Sequence, residues 1–324
     1  MTVFETDPDN DSWVQYWNAP GEGAFMTVRG EAQAKVLNAW WLQKLEVALM
    51  GKSEAQMLEL ACGDAAVTKL ALSVVSSGGA VRMTCSDIAI SALRVGRNSV
   101  AFADVDFCVA DTRRTPFQDK SFDLVVSQYG IEYGGMSAFQ ETARLISPEG
   151  AFLALVHKQG GGVERECSQN LVLLNLLVEL NLIGLASDLV MVSSDGKDNR
   201  VTYLMSEFEL ATRKMEETLV GQRLGSAKEY VIRLVKDLFQ VINRRHAYAP
   251  GDLTPWFGAK TEEINSYIVR MRTMTEAAMN EQDVSDMGQS FQSAGLNQFK
   301  TEIVEFNKGD DAGWGIQAGR HLGS

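Results

Sequence analysis

The chain has 324 residues, 45% hydrophobic and 22% charged with six prolines, a composition that supplies a large buried core and excludes a disordered or fibrous protein. Its net charge of −12 repels phosphate backbones, and its lysines and arginines gather into no long basic stripe, so nucleic acid is an unfavourable partner. The four cysteines, Cys62, Cys85, Cys108 and Cys167, form no CxxC pair and no histidine stands at zinc-ligand spacing, so no metal site is expected and small buried thiols are.

The start of the chain is acidic, with Glu5, Asp7, Asp9 and Asp11, and lacks a basic stretch followed by an apolar run. No secretory signal is therefore expected, and the cytoplasm is the expected location. Residues 1–50, which carry Trp13, Tyr16, Trp17, Trp40 and Trp41, are predicted to form an N-terminal helical cap. From 51 to 158 strand-like apolar runs alternate with helical segments, the pattern of a parallel sheet flanked by helices. Strands are predicted at 56–60, 80–85, 105–109, 122–127 and 151–156, with helices at 65–76, 88–100 and 136–146. Ser137 and Gln140 have capping-box spacing at the head of the last of these helices.

Residues 159–296 are too long for a crossover and rich in helical periodicity, so they are predicted to be an inserted helical unit, entered through the glycines at 160–162. The longest apolar stretch, 171–192, is interrupted by Asn175, Glu179, Asn181 and Asp188, which argues against a membrane span. Ser206 and Glu209 offer a second capping box. Val231, Leu234, Val235, Leu238 and Ile242 mark one helix, and Ile264, Tyr267, Ile268 and Met271 another, with a loop at 249–255 between them. Residues 297–324 close the sheet as a hairpin, two strands at 299–306 and 313–319 flanking Asn-Lys-Gly-Asp-Asp-Ala. The expected fold class is α/β, a doubly wound sheet of seven strands whose last strand is antiparallel.

Acidic and small residues recur at the strand ends, where an open parallel sheet presents its ligand crevice. Glu59 ends the first strand and leads through Ala61 and Gly63 into a helix; the missing side chain at Gly63 lets a ligand approach the backbone. Asp87, followed by Ile88, ends the second strand, where a carboxylate can bind ribose hydroxyls or cap the next helix. Asp111 and Thr112 end the third strand, and Ser127 and Gln128 the fourth.

This ordered series resembles the class I S-adenosylmethionine-dependent methyltransferases over residues 56–156. The runs DTRRTPFQDKSFDLVVS and ARLISPEGAFLALV look like the small-molecule type found in ubiquinone and menaquinone biosynthesis. The resemblance implies a Rossmann-like sheet and an S-adenosylmethionine site. In that site Glu59, Ala61 and Gly63 stand beside the methionine part, Asp87 on the ribose, Asp111 and Thr112 at the adenine, and Ser127 and Gln128 near the sulfonium, with Ile88 a further cofactor contact. Ala61 and Ala65 replace two glycines of the usual turn. The absence of GxGxxG disfavours a nicotinamide enzyme. The Asn/Asp-Pro-Pro-Tyr element of amino-group methyltransferases and the Pro-Cys nucleophile of cytosine enzymes are also missing, which points away from DNA.

Methyl transfer needs alignment and exclusion of water more than it needs a base. His157, at the end of the fifth strand, is the natural base or substrate contact if one is used, and a structural histidine otherwise. Glu132 and Tyr133 suit either acceptor contact or a polar loop, and Tyr16 and Trp17 either closure over the cofactor or core packing. His246 and Trp256 carry no individual assignment, and the methionines of the insertion, Met205, Met215, Met271, Met274 and Met279, suit core filling or an adaptable pocket. The expected acceptor is a small molecule selected by the insertion, whose apolar helices are alternatively a homodimer interface. Protein or RNA methylation, or a non-catalytic cofactor-binding scaffold, are the competing readings.

Overall fold

A computed structural model describes residues 13–14, 16–17, 30–49, 52, 54–75, 80–100, 103–192, 199–221, 225–249 and 251–320. The chain divides into two compact units, the first from residues 1–165 with 273–324 and the second from 166–272.

The first unit is built on seven strands in the order β3-β2-β1-β4-β5-β7-β6. These are β1 (Glu54–Leu60), β2 (Ala80–Asp87), β3 (Val105–Val109), β4 (Phe122–Gln128), β5 (Ile146–Val156), β6 (Gln298–Asn307) and β7 (Asp310–Gly319). β1 to β5 pair in parallel, and β7 runs antiparallel to both β5 and β6. The seven-stranded α/β expectation therefore holds, including its single reversed strand. The inner parts of β4 (124–126) and β5 (151–156) are continuous apolar runs because helices cover both faces of a parallel sheet. The edge strand β6 exposes Lys300, Glu302 and Glu305, and charges of this kind deter pairing with another chain.

Helix α1 (Glu31–Leu49) buries Leu37, Trp41 and Leu45 at four-residue spacing. Trp40 Nε1 donates to Glu302 Oε1 at 2.8 Å and Lys44 pairs with the same carboxylate, so α1 is tied to β6. The crossovers are α2 (Ala66–Val74), α3 (Ile90–Ser99) and α4 (Gly135–Leu145), within two residues of the predicted spans. Ser137 does not cap α4. A 3₁₀ turn at Ile131–Gly134 runs straight into the helix, which places Ser137 inside its first turn.

The second unit contains α6 (Leu182–Met191), α7 (Asn199–Val220), α8 (Ser226–Asn243) and most of α5 (Gly162–Glu179) and α9 (Thr254–Glu276). Ser206 lies in mid-helix and donates to the Thr202 carbonyl at 3.0 Å, so it caps nothing. Leu204, Phe208, Met215, Val231, Leu234 and Leu238 are buried, with Phe208 packed edge-on to Phe239 at 5.1 Å. Met215 and Met271 are ordinary core residues here. The segment 162–191, whose most apolar 18-residue window has mean hydropathy 1.7, is long and apolar enough to cross a membrane by length and composition. Its helix breaks at Asn181, whose φ is 49°, and a third of its most apolar window is buried within the protein.

The final helix, α10 (Glu281–Ser293), belongs to the first unit although it falls within the span 159–296. Asn280 and Asp283 form a true capping box at its start. Its Val284, Met287 and Phe291 join Phe139, Phe152, Leu58 and Ile316 in the sheet core, where Met279 also lies.

Candidate functional site

The predicted cofactor residues lie at the C-terminal ends of adjacent parallel strands, where the sheet order reverses between β1 and β4. Glu59 is 2% exposed, and its two carboxylate oxygens accept the Val67 and Thr68 amides at 3.2 and 2.7 Å. It thus satisfies orphan donors of the first turn of α2 rather than facing outward. Burial pushes its pKa up to about 7, against the downward pull of those amides. The turn that follows holds Ala61, Gly63 and Ala65 in the left-handed region, with φ of 49°, 53° and 61°. A Cβ at Gly63 would stand 2.8 Å from a ring carbon of Trp17, so this glycine permits close approach, and an aromatic ring makes use of it.

Asp87 joins this turn to β2. One of its carboxylate oxygens accepts from the Gly63 amide and the other from the Ala89 amide, both at 2.9 Å. Burial raises its pKa, while the amides of Ala89, Gly63 and Ile88 oppose the rise. Asp87 thus braces the entry to α3, as the capping reading expects, and also fixes the glycine turn. Asp111, at the end of β3, is held by Arg113 through Nε contacts of 3.0 Å to both oxygens and an Nη2 contact of 2.7 Å. Partial burial raises the Asp111 pKa, but the guanidinium outweighs it and holds the carboxyl below its usual range. Thr112 stands beside Gly134.

Both predicted residues at the end of β4 have partners within the protein. Ser127 is fully buried, donating to the Leu60 carbonyl at 2.9 Å and accepting the Ile131 amide at 3.1 Å, so its hydroxyl ties β1 to the 3₁₀ turn. Gln128 Oε1 accepts Trp41 Nε1 at 2.5 Å.

The predicted acceptor-side residues come together. His157 Nδ1 lies 2.6 Å from Glu132 Oε1, and the His157 backbone amide donates to the same oxygen at 2.9 Å. Among the described residues, neither His157 Nε2 nor Glu132 Oε2 has a hydrogen-bond partner, although both are buried. Rings flank the imidazole, with Tyr129 at 4.6 Å and a 30° tilt and Tyr133 at 5.8 Å. Tyr129 is a functional candidate that sequence reading missed. Its φ of 51° and its hydroxyl bond to the Ala312 carbonyl at 3.0 Å fix its ring, and the only sequence signal is an aromatic placed before Gly130 at a strand end.

The two clusters are joined by rings. Trp17 over Gly63 meets Tyr16 at 5.1 Å, Tyr16 meets Trp13 at 5.9 Å, and Trp13 meets Tyr133 at 5.4 Å. The Val14 carbonyl accepts from Ser91 on α3 at 3.3 Å, which anchors this segment. In the second unit, His246 is exposed, and Trp256 lines a pocket of about 280 Å³ with Arg244, Tyr248 and Asp237. No cluster of three or more His, Cys, Asp or Glu among the described residues could hold a metal ion.

Residues 57–150 match the family described as Methyltransferase domain. No curated protein matches the chain. Similar solved structures include the YcgJ protein of Bacillus subtilis, 19% identical over 37% of this chain and 52% of its own, with a TM-score of 0.33. An S-adenosylmethionine-dependent methyltransferase from Mesorhizobium loti is 20% identical over 37% of this chain and 54% of its own, with a TM-score of 0.32. A geranyl diphosphate methyltransferase, in complex with GPP and sinefungin, is 12% identical over 47% of this chain and 67% of its own, with a TM-score of 0.38. The chain thus spans about half the length of the first two. With the strand order, the glycine turn and the acidic strand ends in place, residues 57–150 are a methyltransferase domain of the class I, S-adenosylmethionine-dependent family.

Proposed function

We propose that the protein transfers a methyl group from S-adenosylmethionine to a small organic acceptor, in the cytoplasm. The observation that carries the small-molecule reading is the buried Glu132–His157 pair at the strand ends, walled by Tyr129 and Tyr133. An enclosed polar pair of this kind suits an acceptor that can be wholly engulfed. The net charge of −12 weighs against RNA.

When bound, S-adenosylmethionine supplies an electrophilic methyl group on a sulfonium whose leaving group is a neutral thioether. The residues present suit it, because the carboxylates of Asp87 and Asp111 stand at the ends of neighbouring strands, Asp87 beside the left-handed turn at Gly63. In this reading Gly63 and Asp87 hold the ribose and methionine side, and Asp111 and Thr112 the adenine side. Ala61 and Ile88 shape the walls. Glu59, Ser127 and Gln128 act from behind, by fixing the turn, the strand end and Trp41. The aromatic segment at Trp13–Trp17 excludes water from above the turn.

Incubation of the purified protein with methyl-labelled S-adenosylmethionine and separate small-molecule, protein and RNA fractions tests the proposal. Label in the small-molecule fraction supports it. Label confined to protein or RNA would replace the acceptor class, and no label in any fraction would favour a non-catalytic cofactor-binding protein.

A further inference from the structure

We infer that Glu132 and His157 form a proton-abstracting dyad and that the acceptor presents a hydroxyl on a flat apolar body; the inference rests on the methyltransferase reading above.

The tautomer follows from the hydrogen bonds. Glu132 Oε1 lies 2.9 Å from the His157 backbone nitrogen, a group that can only donate, so this oxygen is an acceptor. An ionised Glu132 can only accept, so the imidazole nitrogen 2.6 Å away donates to it, which puts a ring proton on Nδ1. In the neutral imidazole Nε2 is then left with a lone pair. It is buried and has no partner among the described residues. A buried acceptor without a donor is costly, and a substrate hydroxyl is the group that removes the cost.

The surroundings narrow the class. A hydroxyl is a poor nucleophile until its proton leaves, whereas a neutral amine already offers its lone pair, so a fixed base earns its place with a hydroxyl. The rings of Tyr129 and Tyr133 flank the imidazole, and Trp13 lies against Tyr133, which favours a planar apolar body beside the hydroxyl. Among the described residues, the titratable groups in contact with the imidazole are Glu132, Tyr129 and Tyr133. Lys158, next in the chain, is paired with Asp311 at 3.1 Å and contacts the Trp314 ring.

The step balances as follows. The acceptor O–H bond breaks and its proton passes to His157 Nε2. The freed oxygen pair forms the new bond to the methyl carbon, and the pair that had bound that carbon stays on sulfur. His157 leaves the step as an imidazolium beside the Glu132 carboxylate, which stabilises it. Glu132 is therefore a positioning residue and His157 the catalytic one.

Two measurements test this. In the first, wild type, His157→Asn and Glu132→Gln are each titrated calorimetrically with S-adenosylhomocysteine. They are then assayed for product release with phenol, catechol and hexanol against aniline and hexylamine. The expected result is turnover of a hydroxyl probe that falls about 100-fold or more in His157→Asn while S-adenosylhomocysteine binding is unchanged. In Glu132→Gln the rise of activity with pH should move rather than only scale down. In the second, the ¹⁵N imidazole spectrum at neutral pH should show His157 protonated at Nδ1 and bare at Nε2, with Glu132→Gln changing that tautomer. Turnover of amines alone, unaltered turnover in His157→Asn, or a proton on Nε2 would each overturn the dyad. If no probe reacts, the imidazole spectrum decides. Failure of the wild type to bind S-adenosylhomocysteine would instead overturn the methyltransferase reading.

Discussion

Glu59 makes the protein lose stability as pH rises, and substitution by glutamine should remove most of that loss. Burial is the largest cause of its raised pKa, with the Thr68 and Val67 amides pulling down and nearby Asp64 pushing up. Its pKa stands at about 7 when folded, against an ordinary 4.5. Between those values the folded protein holds a proton that the unfolded chain has released, so stability is greatest below pH 4.5 and falls as pH rises through 7. At about 1.4 kcal/mol per pH unit across that window, the loss comes to about 3 kcal/mol. Asp87, also raised by burial, remains in both proteins and cancels in the comparison. Denaturant unfolding of wild type and Glu59→Gln at pH 4.5 and pH 8 measures the difference between them. Wild type should lose about 3 kcal/mol more than the variant. Equal losses, within about 1 kcal/mol, would mean that Glu59 is already ionised at low pH and would refute the reasoning.

Other outcomes follow from single contacts. Phe291→Ala should destabilise the first unit by about 3–5 kcal/mol in denaturant unfolding, because Phe291 is fully buried between Phe152, Phe139 and Phe299. Arg144→Met should cost about 1 kcal/mol at neutral pH after allowance for its part-exposed guanidinium. Arg144 helps hold Glu141 down at about 2 despite partial burial, so the cost should fade as pH drops from 4.5 towards 2, which acid titration of stability would show. Gly63→Ala should cost about 1–2 kcal/mol for a left-handed alanine and shift Trp17, read by unfolding and tryptophan emission.

The sheet was legible because its strands obey one rule. β3 was located to the residue, and β1, β2 and β4 to within two, since short runs rich in apolar residues recur between turn residues at the spacing of a βαβ pattern. The capping boxes show where local spacing misleads. Ser137 and Ser206 have the right neighbours but lie inside helices that begin earlier, whereas Asn280 with Asp283, which was not singled out, forms the box. Helix α10 read as part of the insertion because amphipathic periodicity says that a face is buried and not against what.

The acidic residues at the strand ends were found, but their geometry was not. Glu59 carries two backbone amides, and Ser127 is sealed between β1 and the turn after β4, relations that no linear spacing encodes. The pairing of His157 with Glu132 is similar. Their side chains meet across 25 positions because β4 and β5 are neighbours in the sheet, so the partners could be named from the sequence while the bond could not.

The most direct test of the central claim is calorimetric titration of the intact protein with S-adenosylmethionine and S-adenosylhomocysteine, alongside Asp87→Asn shown to be folded by circular dichroism. Saturable one-site binding to wild type that the variant loses or weakens about tenfold or more, the loss of a charged hydrogen bond, is the predicted result. A folded wild-type protein that binds neither compound would contradict the account.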